Sequence, residues 1–311
     1  MAKSELTTTE QVTSIWGLGG LSANQLTKKV WRAINDNFLL DRAAGLAFNF
    51  ITAIFPLLVF LITLLGMFAS RGTSLRTSLM EYLAQVLPPD AYQVVTHTLL
   101  EISQNAGGGK LTVGIVLTLW FASGGMNSMI SALNGAYEVR DSRPFFKVRA
   151  TAVVLTFAVS ILIVSALISV LAGSYAVKVL GAKLGMGTFA MVSWRVVQIV
   201  LALAFVALSF SLIYYFGPDL HEQHWYWITP GSILGVLLWV AASFGFRLYL
   251  HFFNSYSKSY GSLGAAIILL MWLYITGLAF LIGGEVNAQI EHATAKRGHP
   301  EAKAPGEKMA A

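Results

Sequence analysis

Arg195 and Arg247 each adjoin a long run of residues without formal charge, and His251 follows Arg247 by about one helical turn. A guanidinium is a planar fork of N–H donors that matches the oxygens of a phosphate or carboxylate. Two such cations at similar depth on consecutive helices could line a cavity for an anionic ligand, with His251 beside it. The plainer alternative is that these long side chains simply reach along the helix for headgroups. Glu285 is the second candidate, near the inner end of the last uncharged run and flanked by Gly283, Gly284 and Asn287. An ionisable group at membrane depth is costly unless it is paired or hydrated. Glu285 and Asn287 could therefore form a proton or cation site open to the inner side. The competing reading is an ion pair with Arg42, Arg143 or Arg149, which share that level. Arg42 and Arg149 complete the candidate inner-side polar site.

Other chemistries find less support. Asp219, His221, Glu222 and His224 have metal-ligand residue types. The two histidines stand three residues apart rather than the four that align a pair on one helix face. A solvated loop beside Pro218 is expected, with no metal bound. There is no cysteine, so disulfides, zinc thiolates and thiol catalysis are excluded. Ser123 lacks the glycine two positions before it that a nucleophile elbow requires. No P-loop occurs, so any ATP hydrolysis would come from a partner. No cofactor site is read. Nuclease chemistry needs clustered carboxylates or an acid–base pair in a cleft, and RNA recognition needs a basic, aromatic-studded surface. Neither is evident, so the chain is expected not to be an enzyme and not to bind nucleic acid. Its net charge of +6 is scattered, which suits anionic membrane lipid as the partner.

The elements that must carry these residues follow from the uncharged runs at 43–70, 111–137, 150–177, 196–218, 223–246 and 259–284. Each exceeds the roughly 20 residues that cross a bilayer as a helix. Helix is required because no water is there to satisfy backbone groups. With 56% hydrophobic and only 12% charged residues, most of the 311-residue chain is committed to one membrane domain. The expected fold is all-α, a polytopic bundle of six transmembrane helices. Thirteen of the 21 basic residues fall in the tails and even-numbered loops, six in the outer loops, and Arg195 and Arg247 within spans. The positive-inside rule then puts both termini in the cytoplasm. The first 42 residues have no apolar core of a signal peptide, so the first span is expected to act as an uncleaved anchor.

Along the chain, residues 1–42 read as a cytoplasmic tail, flexible to residue 23 and ending in an amphipathic helix. Leu26, Val30, Ile34 and Phe38 form its stripe. Such a helix can lie in the inner interface or pack on its own bundle. Residues 43–292 form the membrane domain, and 293–311 a flexible tail. Pro56 should kink the first span. Two apolar stripes split by Pro88 and Pro89 suggest a helical hairpin at about 71–108. The second span carries Gly124, Gly125, Ser128, Ala132 and Gly135 with Asn127 and Asn134. Small residues let helices approach closely, and asparagines in hydrocarbon need partners. Gly231 and Gly235 add a weaker small-residue pair.

These residues carry a family likeness. The stretch Asp41-Arg42-Ala43-Ala44-Gly45-Leu46-Ala47-Phe48, leading to Phe55-Pro56-Leu57, resembles the opening of the YihY/BrkB family of bacterial inner-membrane proteins. So do Leu119-Trp120-Phe121-Ala122-Ser123-Gly124-Gly125, Ala132-Leu133-Asn134, and Arg143-Pro144 with Arg149. Tyr214 through Gly217-Pro218, Pro230-Gly231, Trp239 and Tyr260-Gly261-Ser262-Leu263-Gly264 continue the match. It closes with Trp272-Leu273-Tyr274 and Gly283-Gly284-Glu285-Val286-Asn287-Ala288. The likeness covers roughly residues 25–292. It implies six spans in the inner membrane and no known biochemical activity. The family was once labelled ribonuclease BN and is linked by name to serum resistance. Two functions remain in view: transport or flipping of an anionic envelope lipid or other amphiphile, and a non-catalytic scaffold of the cell envelope.

Overall fold

The computed structural model describes residues 16–68, 109–184, 188–220, 227–252 and 255–295, with a few single positions between 77 and 96. Apart from those positions, the hairpin expected at about 71–108 falls outside the described residues. Everything regular in the described residues is helical, and no strand occurs among them. The helices are α1 (Ala23–Asp36), α2 (Leu39–Phe68), α3 (Gly109–Ala136), α4 (Phe145–Leu184), α5 (Thr188–Phe216), α6 (Pro230–Phe252) and α7 (Ser255–Ala295). Stretches in four of them are long and apolar enough to cross a membrane: Phe145–Val170, Val192–Phe216, Pro230–Leu250 and Ala266–Ala295.

Local chemistry sets the helix ends. Ser22 caps α1 in a reciprocal box, its Oγ accepting from the Gln25 N–H while Gln25 accepts from the Ser22 N–H. The α1 stripe ends sooner than its spacing predicts. The helix stops at Asp36, and Phe38 takes a left-handed φ of 52° and is exposed. Thr229 caps α6, exchanging hydrogen bonds with Ser232 three residues on, and Pro230 occupies the first helical position, where its missing N–H costs nothing. Helix α7 runs past the end of the uncharged run at Gly284 to Ala295. Its last turns are buried rather than solvated, so Glu285 lies inside the helix instead of ending it.

The chain divides into two compact units. One comprises residues 1–52, 124–155 and 210–311, the other 53–123 and 156–209. In the first, Leu26 and Val30 of α1 form a buried cluster with Val286 and Ile290 of α7, edged by Leu18, Leu21, Ile34 and Ile282. The amphipathic stripe is therefore turned onto the protein, and residues 18–22, expected in the flexible tail, join that packing. Trp31, 70% exposed, lies off the stripe. A second cluster joins Phe210 and Tyr214 of α5 to Phe280 of α7, with ring centroids 4.9–6.0 Å apart.

The second unit packs Phe60 of α2 on Phe157 of α4 at 6.3 Å. Along α5 it leaves Val192, Trp194, Val196, Val197, Ile199 and Val200 exposed. It also buries Ser160 and Gln198, whose Oγ and Nε2 have no hydrogen-bond partner among the described residues.

Candidate polar site at the end of α7

Glycines bring α6 and α7 together. A Cβ placed on Gly283 would lie 2.5 Å from the Gly231 carbonyl oxygen and 3.1 Å from the Gly235 Cα, and one on Gly231 would collide with the Gly283 carbonyl. The small pair Gly231 and Gly235 is thus a close helix crossing. Tyr214 seals its edge, donating its hydroxyl to the Phe280 carbonyl at 2.6 Å.

One turn of α7 further, Asn287 spans the same contact. Its Oδ1 accepts the Gly231 N–H at 2.9 Å, and its Nδ2 donates to Thr229 Oγ1 at 2.9 Å. A helix N-terminus has N–H groups without intrahelical partners. Asn287 satisfies one of them for α6 from a neighbouring helix. Its role in the geometry is therefore to cap α6, and it makes no bond to Glu285.

The Glu285 side chain is 0% exposed. Its Oε2 accepts from Asn37 Nδ2 at 3.2 Å, and its Oε1 accepts from Gln289 Nε2 at 2.8 Å. Two neutral amides hold the carboxyl where the sequence allowed an arginine. Arg42 is turned elsewhere, its Nε donating to the Asn37 carbonyl at 2.8 Å. The guanidinium lies so close over Gly135 that any side chain there would strike it. Small size matters at Gly135 for that reason. Gly124 has open space at its Cβ position, Gly125 is buried, and Asn127 is half-buried. Pro56 lies inside α2.

Both donors to Glu285 also line a pocket of about 180 Å³, together with Lys29, Arg32, Ala33, Asp36 and Glu138. The buried carboxyl therefore lies behind two side chains that face an open, charged recess.

Arg143 belongs to a separate knot where α3 and α5 end. Asn134 donates to Asp141 at 2.9 Å and accepts the Asp219 N–H at 2.8 Å. Ser142 gives both its N–H and its hydroxyl to Asp219, each at 2.7 Å. Arg143 grips Asp141 with two bonds of 2.8–2.9 Å and reaches the Gly217 carbonyl at 2.9 Å. Partial burial would raise the Asp141 carboxyl, but the hydrogen bonds and charge of Arg143, with the Asn134 amide, bring it below its ordinary value. Burial likewise opposes the Arg143 charge, and Asp141 with Asp219 outweighs it, raising the guanidinium. The asparagine expected to need a partner has two. Asp219 serves this knot, and residues 221–226 fall outside the described residues.

Arg149 is half-buried near the start of α4 and is not among the hydrogen-bond donors to Glu285. Arg195 is exposed on α5 in one unit and Arg247 is exposed on α6 in the other. His251 lies in α6, and its side chain is outside the described residues. Sequence reading passed over Asn37 and Gln289. Gln289 had a signal, since it follows Glu285 by four residues and shares its helix face. Asn37 had none, because a contact across 248 residues leaves no local pattern.

Comparison with known proteins agrees with this architecture. Residues 30–307 match the family model for virulence factor BrkB. The chain is 33% identical over 253 residues to the putative ribonuclease-like protein YfkH of Bacillus subtilis, covering 80% of this chain and 88% of that one. It is 26% identical over 270 residues to a UPF0761 membrane protein of Stenotrophomonas maltophilia, covering 84% of this chain and 59% of that one. A UPF0761 membrane protein of Aromatoleum aromaticum is 29% identical over 271 residues, with 85% and 64% covered. The chain thus spans about six-tenths of the length of these UPF0761 relatives. No solved structure matches. With the family model spanning most of its length and its described residues folded into long apolar helices, the chain belongs to the BrkB family of membrane proteins.

Proposed function

We propose that this is a six-span protein of the bacterial inner membrane, with both termini in the cytoplasm. In this reading it moves or flips an anionic envelope lipid or another anionic amphiphile. Helices α2 and α3, of 30 and 28 residues and holding most of the uncharged runs 43–70 and 111–137, are read as the two spans beyond the four found among the described residues. The orientation rests on the distribution of basic residues.

Exposure of Arg195 carries the functional part. It stands on α5 among exposed Val192, Trp194, Val196 and Val197, a surface suited to acyl chains. Arg247 is likewise exposed beside Phe244 and Leu248 on α6. Among the described residues neither guanidinium has an ion-pair partner. A guanidinium on an apolar surface is best satisfied by an anionic headgroup. Chemistry on a bound substrate is not part of this reading. Among the described residues no three His, Asp or Glu side chains group as a metal would need, and Asp219 is occupied in the knot. The word ribonuclease in the name of the Bacillus relative is said of that protein, and no nuclease is proposed here.

The test is native mass spectrometry of the purified protein with lipid identification, beside an Arg195→Gln/Arg247→Gln double variant. A defined anionic lipid retained by the wild type and lost from the folded variant supports lipid handling. Only bulk lipid in both would overturn it in favour of the membrane scaffold.

A further inference from the structure

The Glu285 carboxyl is 0% exposed, yet both side chains that hold it line an aqueous recess. Structural carboxylates at such depth are ordinarily neutralised by a cation. Here the groups touching the oxygens are the amides of Asn37 and Gln289, which carry no charge. The Arg42 guanidinium is spent on the Asn37 carbonyl, and Arg143 belongs to the separate knot with Asp141 and Gly217. Among the described residues, the hydrogen-bond donors to the carboxylate are these two amides, and no ion pair joins it to Arg42 or Arg143.

Burial without a cation opposes the charged form, whereas two N–H donors serve it. Glycines at 283 and 284 leave no side chain on the preceding turn that could supply a charge. Around the recess, α1 presents Lys29, Arg32 and Asp36, and the end of α3 presents Glu138. Glu138 acts on Glu285 as a like charge. Tyr137 is buried beside the same helix and hydrogen-bonded to Glu291. Arg42 faces the group from α2 through the Asn37 backbone. The Asn37 and Gln289 side chains both bond the carboxyl and line the recess.

We propose that Glu285 is a proton-binding site that loads and unloads through the recess between α1 and the end of α3, with Asn37 and Gln289 as its gating amides. Uptake moves one proton from recess water to a carboxyl oxygen and removes one negative charge from the interior. Release reverses it. The site does not depend on the lipid reading, since it uses none of the same residues.

The experiment is a pH titration of the full-length protein in nanodiscs, followed by the infrared C=O stretch of the protonated carboxyl. Wild type is expected to show a carboxyl band that titrates reversibly and is missing from Glu285→Gln. Glu138→Gln, at an exposed position, removes a like charge and should move the midpoint to lower pH. Asn37→Ala removes a donor to the anion and should move it to higher pH, by about one unit. Reversible titration marks a solvent-connected carboxyl, and opposite shifts in the two variants tie it to Glu138 and Asn37. Identical wild-type and Glu285→Gln titrations would overturn the proposal. So would a Glu285 band that neither Glu138→Gln nor Asn37→Ala moves.

Discussion

Glu285 and Arg195 are both charged residues on long apolar helices, and the fold treats them in opposite ways. Glu285 is buried in a unit where Asn37, Gln289, Arg42 and, one turn on, Asn287 each hydrogen-bond to protein. Arg195 stands on the outside of the other unit, among exposed valines and a tryptophan. A charge in an apolar helix can thus be satisfied by the chain itself or left to the surroundings. The first option fixes geometry, and the second leaves a group available to a ligand.

Mutations should show how tightly the first region is bound together. The largest effect is expected where α6 and α7 touch. Gly283→Leu would force side-chain atoms into the Gly231 carbonyl, Tyr214 and Gly235. A loss of about 3 kcal/mol or more is expected, read as a collapse of thermal stability in detergent. Gly124→Ala is the control, since nothing lies within 4 Å of its Cβ position. Its melting temperature should match wild type, and an equal loss at both glycines would dissolve the contrast.

Next in size is the knot. Asn134→Ala strands the Asp219 N–H and removes a donor from Asp141, at a cost of about 2–3 kcal/mol. Replacing Asn287 by Ala uncaps α6 and should cost about 1 kcal/mol. Its mark would be faster amide hydrogen exchange at Gly231, a change that Arg195→Gln should not produce.

The smallest effect is that of pH on the knot. The Asp141 carboxyl is lowered in the fold. Its contribution is therefore fully present above the ordinary carboxylate value and is lost as pH falls through the lowered one. Below about pH 4, the wild type should lose stability more steeply than Asp141→Asn. Coincident acid limbs would mean that Arg143 holds Asp141 no more tightly than solvent does.

Much of this architecture was legible before any coordinates. Uncharged runs placed the helices, because hydrocarbon leaves a chain no alternative to satisfying its own backbone. Gly231 with Gly235, and Asn134 as a residue in need of a partner, were also readable, since helical spacing is local. Three features were not. Glu285 ended a run on paper but not the helix, because a buried charge held by amides breaks no helical rule. The α1 stripe fits lipid or protein equally well, and only the apolar end of α7 decides between them. Gly124 and Gly135 look alike in sequence, yet Arg42 lies against one and nothing against the other.

The seam between α1 and α7 has a consequence for how the protein is made. Leu26 and Val30 leave the ribosome more than 250 residues before Val286 and Ile290, which cover them. While the intervening helices insert, α1 has nowhere native to dock. Until then the Leu26 and Val30 stripe lacks the partner that covers it in the fold. The recess that α1 and Gln289 of α7 line together is therefore complete only after both segments have been made.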